Sequence, residues 1–387
     1  MNAPKLRFKE FTDDWKSDKI SNLTTYVDYR GKTPVKTETG IFLITAKNVK
    51  KGYIDYNCSK EYVEASQYNA IMHRGLPKVG DVLVTTEAPC GNVAQIDNAN
   101  VALAQRIIKY RGNDLINNDF LKYELLSDYF QTELKRVASG GTVYGVKGST
   151  LHQMSINYCS KEEQTKIAQF LSLLDKKIEL QKRKIKALKL FKKGLFDIQL
   201  KINGKESIMF DDFLDEVTEK SSIQNQYPVL SSTSKGLFLQ SDYFNKQASS
   251  ENNVGYKILK RNQLVLSPQN LWMGNININN IFDIGIVSPS YRVYNIDIKK
   301  MDLNYFNYWI KTPKALYSYL ISSEQGASIV RRNLNIEMFN QISLKIPNLE
   351  KQHIIGNRIY QFDLKINLEE EKLKLLYKLK KGLMQKM

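Results

Sequence analysis

Glu162-Glu163-Gln164…Ile167…Leu174-Asp175-Lys176-Lys177-Ile178…Leu188…Lys192-Lys193-Gly194-Leu195 returns later in the chain as Glu350-Lys351-Gln352…Ile355…Phe362-Asp363-Leu364-Lys365-Ile366…Leu376…Lys380-Lys381-Gly382-Leu383, at a constant offset of 188 residues. A long-period duplication sets the architecture before any local assignment is made. In the first copy Ile167, Leu171, Leu174, Ile178, Ile185, Leu188 and Leu195 form a heptad seam broken by Gln181 and Lys192. In the second, Ile355, Ile359, Phe362, Ile366, Leu373, Leu376 and Leu383 form the same seam, broken at Glu369 and Lys380. Polar breaks at equivalent positions predict two helices whose seams face each other. Each helix follows a globular segment, so an antiparallel pair is the simplest closure, with the globular heads at opposite ends. A rod of ~36 residues is ~54 Å long at 1.5 Å rise per residue.

The segments between the helices share a plan but little side-chain identity. In the first, Ile41–Thr45, Asp81–Thr86 and Val101–Tyr110 read as strands bounded by turn residues. Phe120, Tyr123, Leu126, Phe130, Leu134 and Val137 fall on one helical face across Asp119–Val137, and Ser139-Gly140-Gly141-Thr142 stops that helix. In the second, Leu264-Val265-Leu266 stands where Val82-Leu83-Val84 stood, and Gly274-Asn275-Ile276 answers Gly91-Asn92-Val93. Ile286–Ile296 parallels Val101–Tyr110, and Leu303–Ile321 is the matching helix, closed by Gln325-Gly326-Ala327-Ser328. The expectation is an α+β protein with an internal pseudo-two-fold repeat. Its heads lie at 1–160 and 201–349, its spacer helices at 161–200 and 350–387.

Charge narrows the partners. Lys and Arg number 57 against 40 Asp and Glu, a formal charge of +17, which favours a polyanion such as nucleic acid. Between Lys176 and Lys193 nine residues are basic and only Glu179 is acidic. No apolar run approaches the ~20 residues that span a bilayer, and Met1–Trp15 lacks the apolar core of a signal peptide. Cys58, Cys90 and Cys159 are odd in number and far apart, so a disulfide framework is not expected and a reducing cytoplasm fits best.

Catalytic patterns are missing. Gly31-Lys32-Thr33 has Tyr26 where a phosphate-cradling loop needs glycine, and Pro34 follows. His73, His152 and His353 are scattered, as are the cysteines, so no metal cluster is expected. There is no Gly-x-Ser-x-Gly elbow and no Gly-x-Gly-x-x-Gly loop after a strand. Ser267-Pro268-Gln269-Asn270 and Ser288-Pro289-Ser290-Tyr291 approach the Pro-Pro-aromatic loop of DNA amino-methyltransferases but lack the second proline. Glu133-Leu134-Lys135 has a nuclease-like carboxylate and lysine, but on a helix positions two apart diverge.

The combination resembles the specificity subunit of type I restriction-modification systems, over essentially the whole chain. The resemblance rests on Pro4-Lys5-Leu6-Arg7-Phe8…Trp15, on Tyr29-Arg30-Gly31-Lys32-Thr33-Pro34, on the Gly-Asp-Val-Leu-Val strand at Gly80 and on the two repeated helices. It implies two target-recognition domains, each reading half of a bipartite double-stranded DNA site, with the helices as a ruler for the gap. It implies a non-catalytic chain that binds no cofactor. Two modification subunits carrying S-adenosylmethionine would dock on the helices, and ATP- and Mg-dependent restriction subunits would join them. A stand-alone transcription regulator is the alternative, although such proteins usually reach two-fold symmetry by dimerising. A self-sufficient restriction or modification enzyme is disfavoured by the missing loops.

Base edges and phosphates are met by Lys, Arg, Asn, Gln, Ser and Thr on loops beside aromatics. The candidates in the first head are Arg30, Lys32, Lys47, Asn48, Lys50, Thr142, Tyr144 and Lys147. In the second they are Ser232, Ser234, Lys235, Gln269, Asn270, Trp272, Gln325, Ser328, Arg331 and Arg332. The candidate partner-docking residues are Lys176, Lys177, Lys184, Lys192, Lys193, Lys380 and Lys381. Trp15, Tyr123, Phe130, Tyr305 and Tyr308 are expected in the cores.

Overall fold

The computed structural model describes residues 4–29, 34–139, 144–203, 206–243, 252–325 and 332–386. It divides into two compact units, one made of residues 1–182 with 371–387 and the other of 183–370. The boundaries fall inside the two long helices, Lys161–Asn203 and Leu349–Lys386, and not at their ends.

In the first unit Lys16–Lys19 pairs antiparallel with Ser155–Tyr158. A four-stranded sheet follows in the order Thr24–Asp28, Ile107–Gly112, Val82–Thr85, Val93–Gln95. Ile41–Ile44 lies between Tyr62–Val63 and Val101–Leu103, antiparallel to the former and parallel to the latter. The second unit repeats the frame. Glu206–Met209 pairs antiparallel with Ser343–Ile346, and a four-stranded sheet runs Leu214–Val217, Arg292–Ile296, Leu264–Leu266, Ile276–Ile278. Val82–Thr85 and Leu264–Leu266 are buried at every residue, as strands covered on both faces must be. The units diverge in the remaining strands. In the second, Leu230–Thr233 pairs with Gly236–Leu239, and Lys257–Lys260 pairs with Ile284–Val287.

Three expectations need refinement. The Asp119–Val137 helix is two helices, Asn118–Leu126 and Asp128–Val137, because Ser127 is extended and its hydroxyl caps the second by accepting from the Phe130 amide. Leu303–Ile321 likewise breaks into Leu303–Trp309 and Pro313–Ile321, where Thr312 caps and Pro313 takes the first turn. Val101–Tyr110 and Ile286–Ile296 each split into two strands around a turn. Trp15, Tyr123, Phe130 and Tyr305 are buried as expected, while Tyr308 is half-buried.

The repeated motif makes the same junction in each unit. Gln164 is fully buried: its amide donates to the carbonyls of Leu115 (2.9 Å) and Cys159 (2.8 Å), and its oxygen accepts from the Asn117 amide at 2.7 Å. Gln352, 1% exposed, donates to Pro347 (3.0 Å) and Lys300 (3.4 Å) and accepts from the Asp302 amide at 3.0 Å. Asn117 and Asp302 are themselves the N-caps of Asn118–Leu126 and Leu303–Trp309. One glutamine therefore ties the first turn of each long helix to the capping loop of its own head. Ala168 is buried in the core of the first unit, and Gly356 holds the equivalent sequence position in the second. A Cβ at Gly356 would stand 2.2 Å from Asp302 Oδ1 and 2.8 Å from the Tyr305 amide nitrogen, so that close approach requires glycine.

Next on each helix comes a repeated ion pair. In the first unit Lys380 contacts Asp175, which accepts a 2.9 Å hydrogen bond from the Tyr123 hydroxyl, and the Lys380 ammonium lies 5.7 Å from the Tyr123 ring centre. In the second unit Lys192 contacts Asp363 and stands 4.7 Å over the Tyr308 ring. The expected facing seams are thus divided in their duties. Ile167 and Leu171, and likewise Ile355 and Ile359, bury against their own heads, and in the first unit Leu174 and Ile178 meet Leu373, Leu376 and Leu383. The partners run in opposite chain directions within each unit, as the antiparallel expectation required. The first unit also clamps the N-terminal segment: Arg7 makes two 2.7 Å contacts with the buried Glu163 carboxylate, and the Leu6 amide donates to Lys386 at 2.7 Å.

Replacing Gln164 or Gln352 by alanine should cost about 3 kcal/mol each, because two carbonyls and a cap amide lose their partner in a dry site. Urea unfolding of the full chain measures this, and a cost below about 1 kcal/mol at either position would show that the junction is not held by these amides.

Candidate nucleic-acid interface

In both units the loops picked from sequence converge on the loop that precedes a left-handed glycine. Gly91 (φ +81°) and Gly274 (φ +84°) start the equivalent Asn-Val and Asn-Ile steps, and both close tight turns that a Cβ would strain. In the first unit Ser139 and Gly145 exchange backbone hydrogen bonds of 2.9 and 3.0 Å, and the Val146 amide donates to Thr86. Tyr144, next to this pairing, is 64% exposed and lines a cavity of about 600 Å³ with Ala88, Cys90, Gln131 and Lys135. Lys147 is exposed just before the helix Gly148–Gln153. Lys47 is exposed and Lys50 half-buried on the neighbouring loop.

In the second unit the hairpin Ser323–Gln325 with Arg332–Leu334 packs against the short 3₁₀ helix Pro268–Met273. This brings Arg332 towards Gln269, Asn270 and Trp272; Gln269 is exposed, and the other two are half-buried. Arg332 is partly committed, donating from Nε (3.2 Å) and Nη2 (2.9 Å) to the Ser323 carbonyl. Lys311 Nζ donates to the Gly274 carbonyl at 2.9 Å, and burial draws its ammonium down to about 8. Ser234 and Lys235 are exposed at the tip of the Leu230–Gly236 turn.

Two candidates are corrected. Asn48 is wholly buried. Its oxygen accepts from the Thr45 amide (2.9 Å) and hydroxyl (2.8 Å), and its NH₂ donates to the carbonyls of Asp55 (3.0 Å) and Ser59 (2.8 Å), so it closes the loop and faces no solvent. Ser232, 3% exposed, donates to Asn275 and accepts from Asn277, both at 2.7 Å, and welds the hairpin to the sheet. Arg30, Lys32, Thr142, Ser328, Arg331 and the side chain of Gln325 lie outside the described residues.

With this geometry in hand, comparison with known proteins gives a consistent answer. The family model described as the type I restriction modification DNA specificity domain matches residues 13–190 and 218–378. The chain belongs to that family. A curated relative, the type I restriction enzyme MjaIX specificity subunit of Methanocaldococcus jannaschii, is 31% identical over 218 residues, 54% of this chain and 49% of the relative. The match thus spans about half the length of that relative. The fold is shared with the S subunit of a type I restriction-modification system from M. genitalium, at a TM-score of 0.61 and 14% identity over 99% of this chain and 98% of that one. It is shared also with a chain from a study of complex assembly and conformational transition of the type I R-M system, at 0.57 and 14% identity over 96% and 97%.

For a member of this family the helix lysines sort into two groups. Lys192 and Lys380 are half-buried pins on Asp363 and Asp175, and Lys184 contacts Glu369, so these three serve the chain's own helices. Lys176, Lys177, Lys193 and Lys381 are exposed. Among the described residues no group of His, Cys, Asp and Glu could hold a metal, and no helix is long and apolar enough to cross a membrane. The sequence reading missed Gln105 and Arg106, which sit on the turn inside what read as one strand; two polar side chains interrupting an apolar run were the available signal.

Asn48→Ala should destabilise the first head by roughly 2–3 kcal/mol, since four internal bonds are lost without a replacement. DNA selection by the full chain would then keep the same preferred bases at permissive temperature. A changed base preference with unchanged unfolding would restore Asn48 as a reader.

Proposed function

We propose that the chain is the DNA-recognition subunit of a type I restriction-modification complex, acting in the cytoplasm, and that it carries no chemistry of its own. Each head reads one half of a bipartite duplex site, and the paired helices set the gap. One observation carries this reading: the glutamine junction and the Asp–Lys–Tyr cluster recur in both units, while the loops beside Gly91 and Gly274 differ in sequence and shape. A common mount with unlike tips suits a molecule that must hold two different recognition surfaces in the same way. The transcription-regulator alternative finds no support among the relatives.

Two modification subunits are proposed to dock on the outward faces of the helices. Those faces expose Leu173, Leu180, Leu375 and Leu379 in the first unit, and Leu190, Leu364 and Leu368 in the second. Permanent interfaces are more apolar than ordinary surface, so these leucines, flanked by Lys176, Lys177, Lys193 and Lys381, form a better docking surface than lysines alone. S-adenosylmethionine, ATP and Mg would reside on the modification and restriction subunits.

Lengthening the gap between half-sites by one or two base pairs should abolish adenine methylation by the assembled complex, and continued methylation would sink the ruler. Raising salt from about 50 to about 200 mM should weaken binding by roughly a thousandfold through counterion release. A flat salt response would argue against a phosphate-tracking surface.

A further inference from the structure

We infer that Gln105 reads an adenine base edge in the half-site bound by the first head; this deepens the DNA-recognition reading above and rests on it. Gln105 sits on the turn between Val101–Leu103 and Ile107–Gly112, and that turn is held from both sides. The Ala104 amide donates to Ile44 at 2.9 Å, the Thr86 amide donates to the Arg106 carbonyl at 3.0 Å, and the Ile107 amide closes back on Ala104 at 3.3 Å. The flanking strands are buried, so the backbone at 105 has little freedom.

On this fixed turn the Gln105 side chain is half-buried and lines two adjoining cavities, of about 450 and 320 Å³. Its amide makes no hydrogen bond among the described residues. That amide is open to the cavities, in contrast with Asn48 nearby, whose amide is wholly consumed by internal hydrogen bonds. A rigidly presented amide with its donor and acceptor both available is suited to adenine, which offers an N6 donor and an N7 acceptor in the major groove.

The surroundings favour duplex DNA as the occupant. The charged side chains lining the two cavities are Lys36, Lys47, Arg74 and Arg106 with the carboxylate Glu61; Lys36 pairs with Glu61 at 2.7 Å, Arg74 donates to the Asp28 carbonyl at 2.8 Å, and Lys47 is exposed. Arg106, beside Gln105 on the same turn, is half-exposed and pairs with Glu87 at 2.9 Å, a surface pair that a phosphate would have to compete with. This is the arrangement expected where phosphates position the duplex and one amide reads a base.

The test is selection from random duplexes by the full chain assembled with its modification subunits, comparing the wild type with Gln105→Ala and Gln105→Glu. Gln105 makes no hydrogen bond among the described residues, so both variants should unfold at the wild-type midpoint. Gln105→Ala should relax discrimination at one adenine of one half-site by roughly ten- to a hundredfold, leaving the other half-site and the gap unchanged. Gln105→Glu should move the preference at that same position towards cytosine, whose N4 amine donates. An unchanged selected site, or a uniform loss of binding to all sequences at the same unfolding midpoint, would overturn the assignment. A wild-type complex that selects no bipartite site would instead remove the DNA-recognition reading, and this inference with it.

Discussion

A buried glutamine amide holds each head to its long helix, and the rest of the arrangement depends on that bond set. Gln164 and Gln352 each bridge three backbone groups: a carbonyl two residues before their own helix, and two groups in the capping loop of Asn118–Leu126 or of Leu303–Trp309. The capping loop is where a head helix begins, so fixing it fixes the direction of that helix against the long one. The apolar residues that follow, Ile167 and Leu171 or Ile355 and Ile359, then bury into the head core with no alternative register. A one-residue slip would strand the amide among carbonyls in a dry site, at a cost of several times the thermal energy.

Farther along each helix the constraint changes character. Asp175 with Lys380, and Asp363 with Lys192, are only partly shielded from solvent, and pairs of that kind stabilise by about 0.5 kcal/mol or little more. Their value is in orientation. A charged pair laid beside a tyrosine ring selects one rotation of each helix, while apolar contacts such as Leu174 and Ile178 on Leu376 supply the adhesion. Strong apolar contacts with weak polar selectors give a mount that is stable and also specific.

The heads differ where this mount does not reach. Their four-stranded sheets agree strand for strand, yet the first extends the parallel pairing over Ile41–Ile44 and Val101–Leu103, while the second keeps a single parallel bridge, Val229 to Ile286, beside the hairpin Leu230–Leu239 and the pairing of Lys257–Lys260 with Ile284–Val287. Loop tips face solvent and carry few packing duties, so their residues can vary without disturbing the core. Tyr144 and Gln105 in the first unit, and Gln269, Asn270 and Trp272 in the second, occupy such places.

Periodicity in the chain was enough to establish the duplication, both long helices, the antiparallel pairing and the α+β class, because a heptad stripe and a repeated spacing are local signals that packing reinforces. The breaks at Ser127 and Thr312-Pro313 were also local, but an unbroken run of apolar residues masked them. The identity of the exposed residues lay beyond any such pattern. Asn48 and Gln105 are both amides on loops of the same head, yet one is buried among four partners and the other stands beside two cavities with no hydrogen-bond partner among the described residues. Lys192 and Lys380 read as polar breaks in the seams, and only the fold brings Asp363 and Asp175 from distant sequence to hold them. Whether a polar side chain is consumed or available is set by what other parts of the chain fold against it, and only long-range packing supplies that.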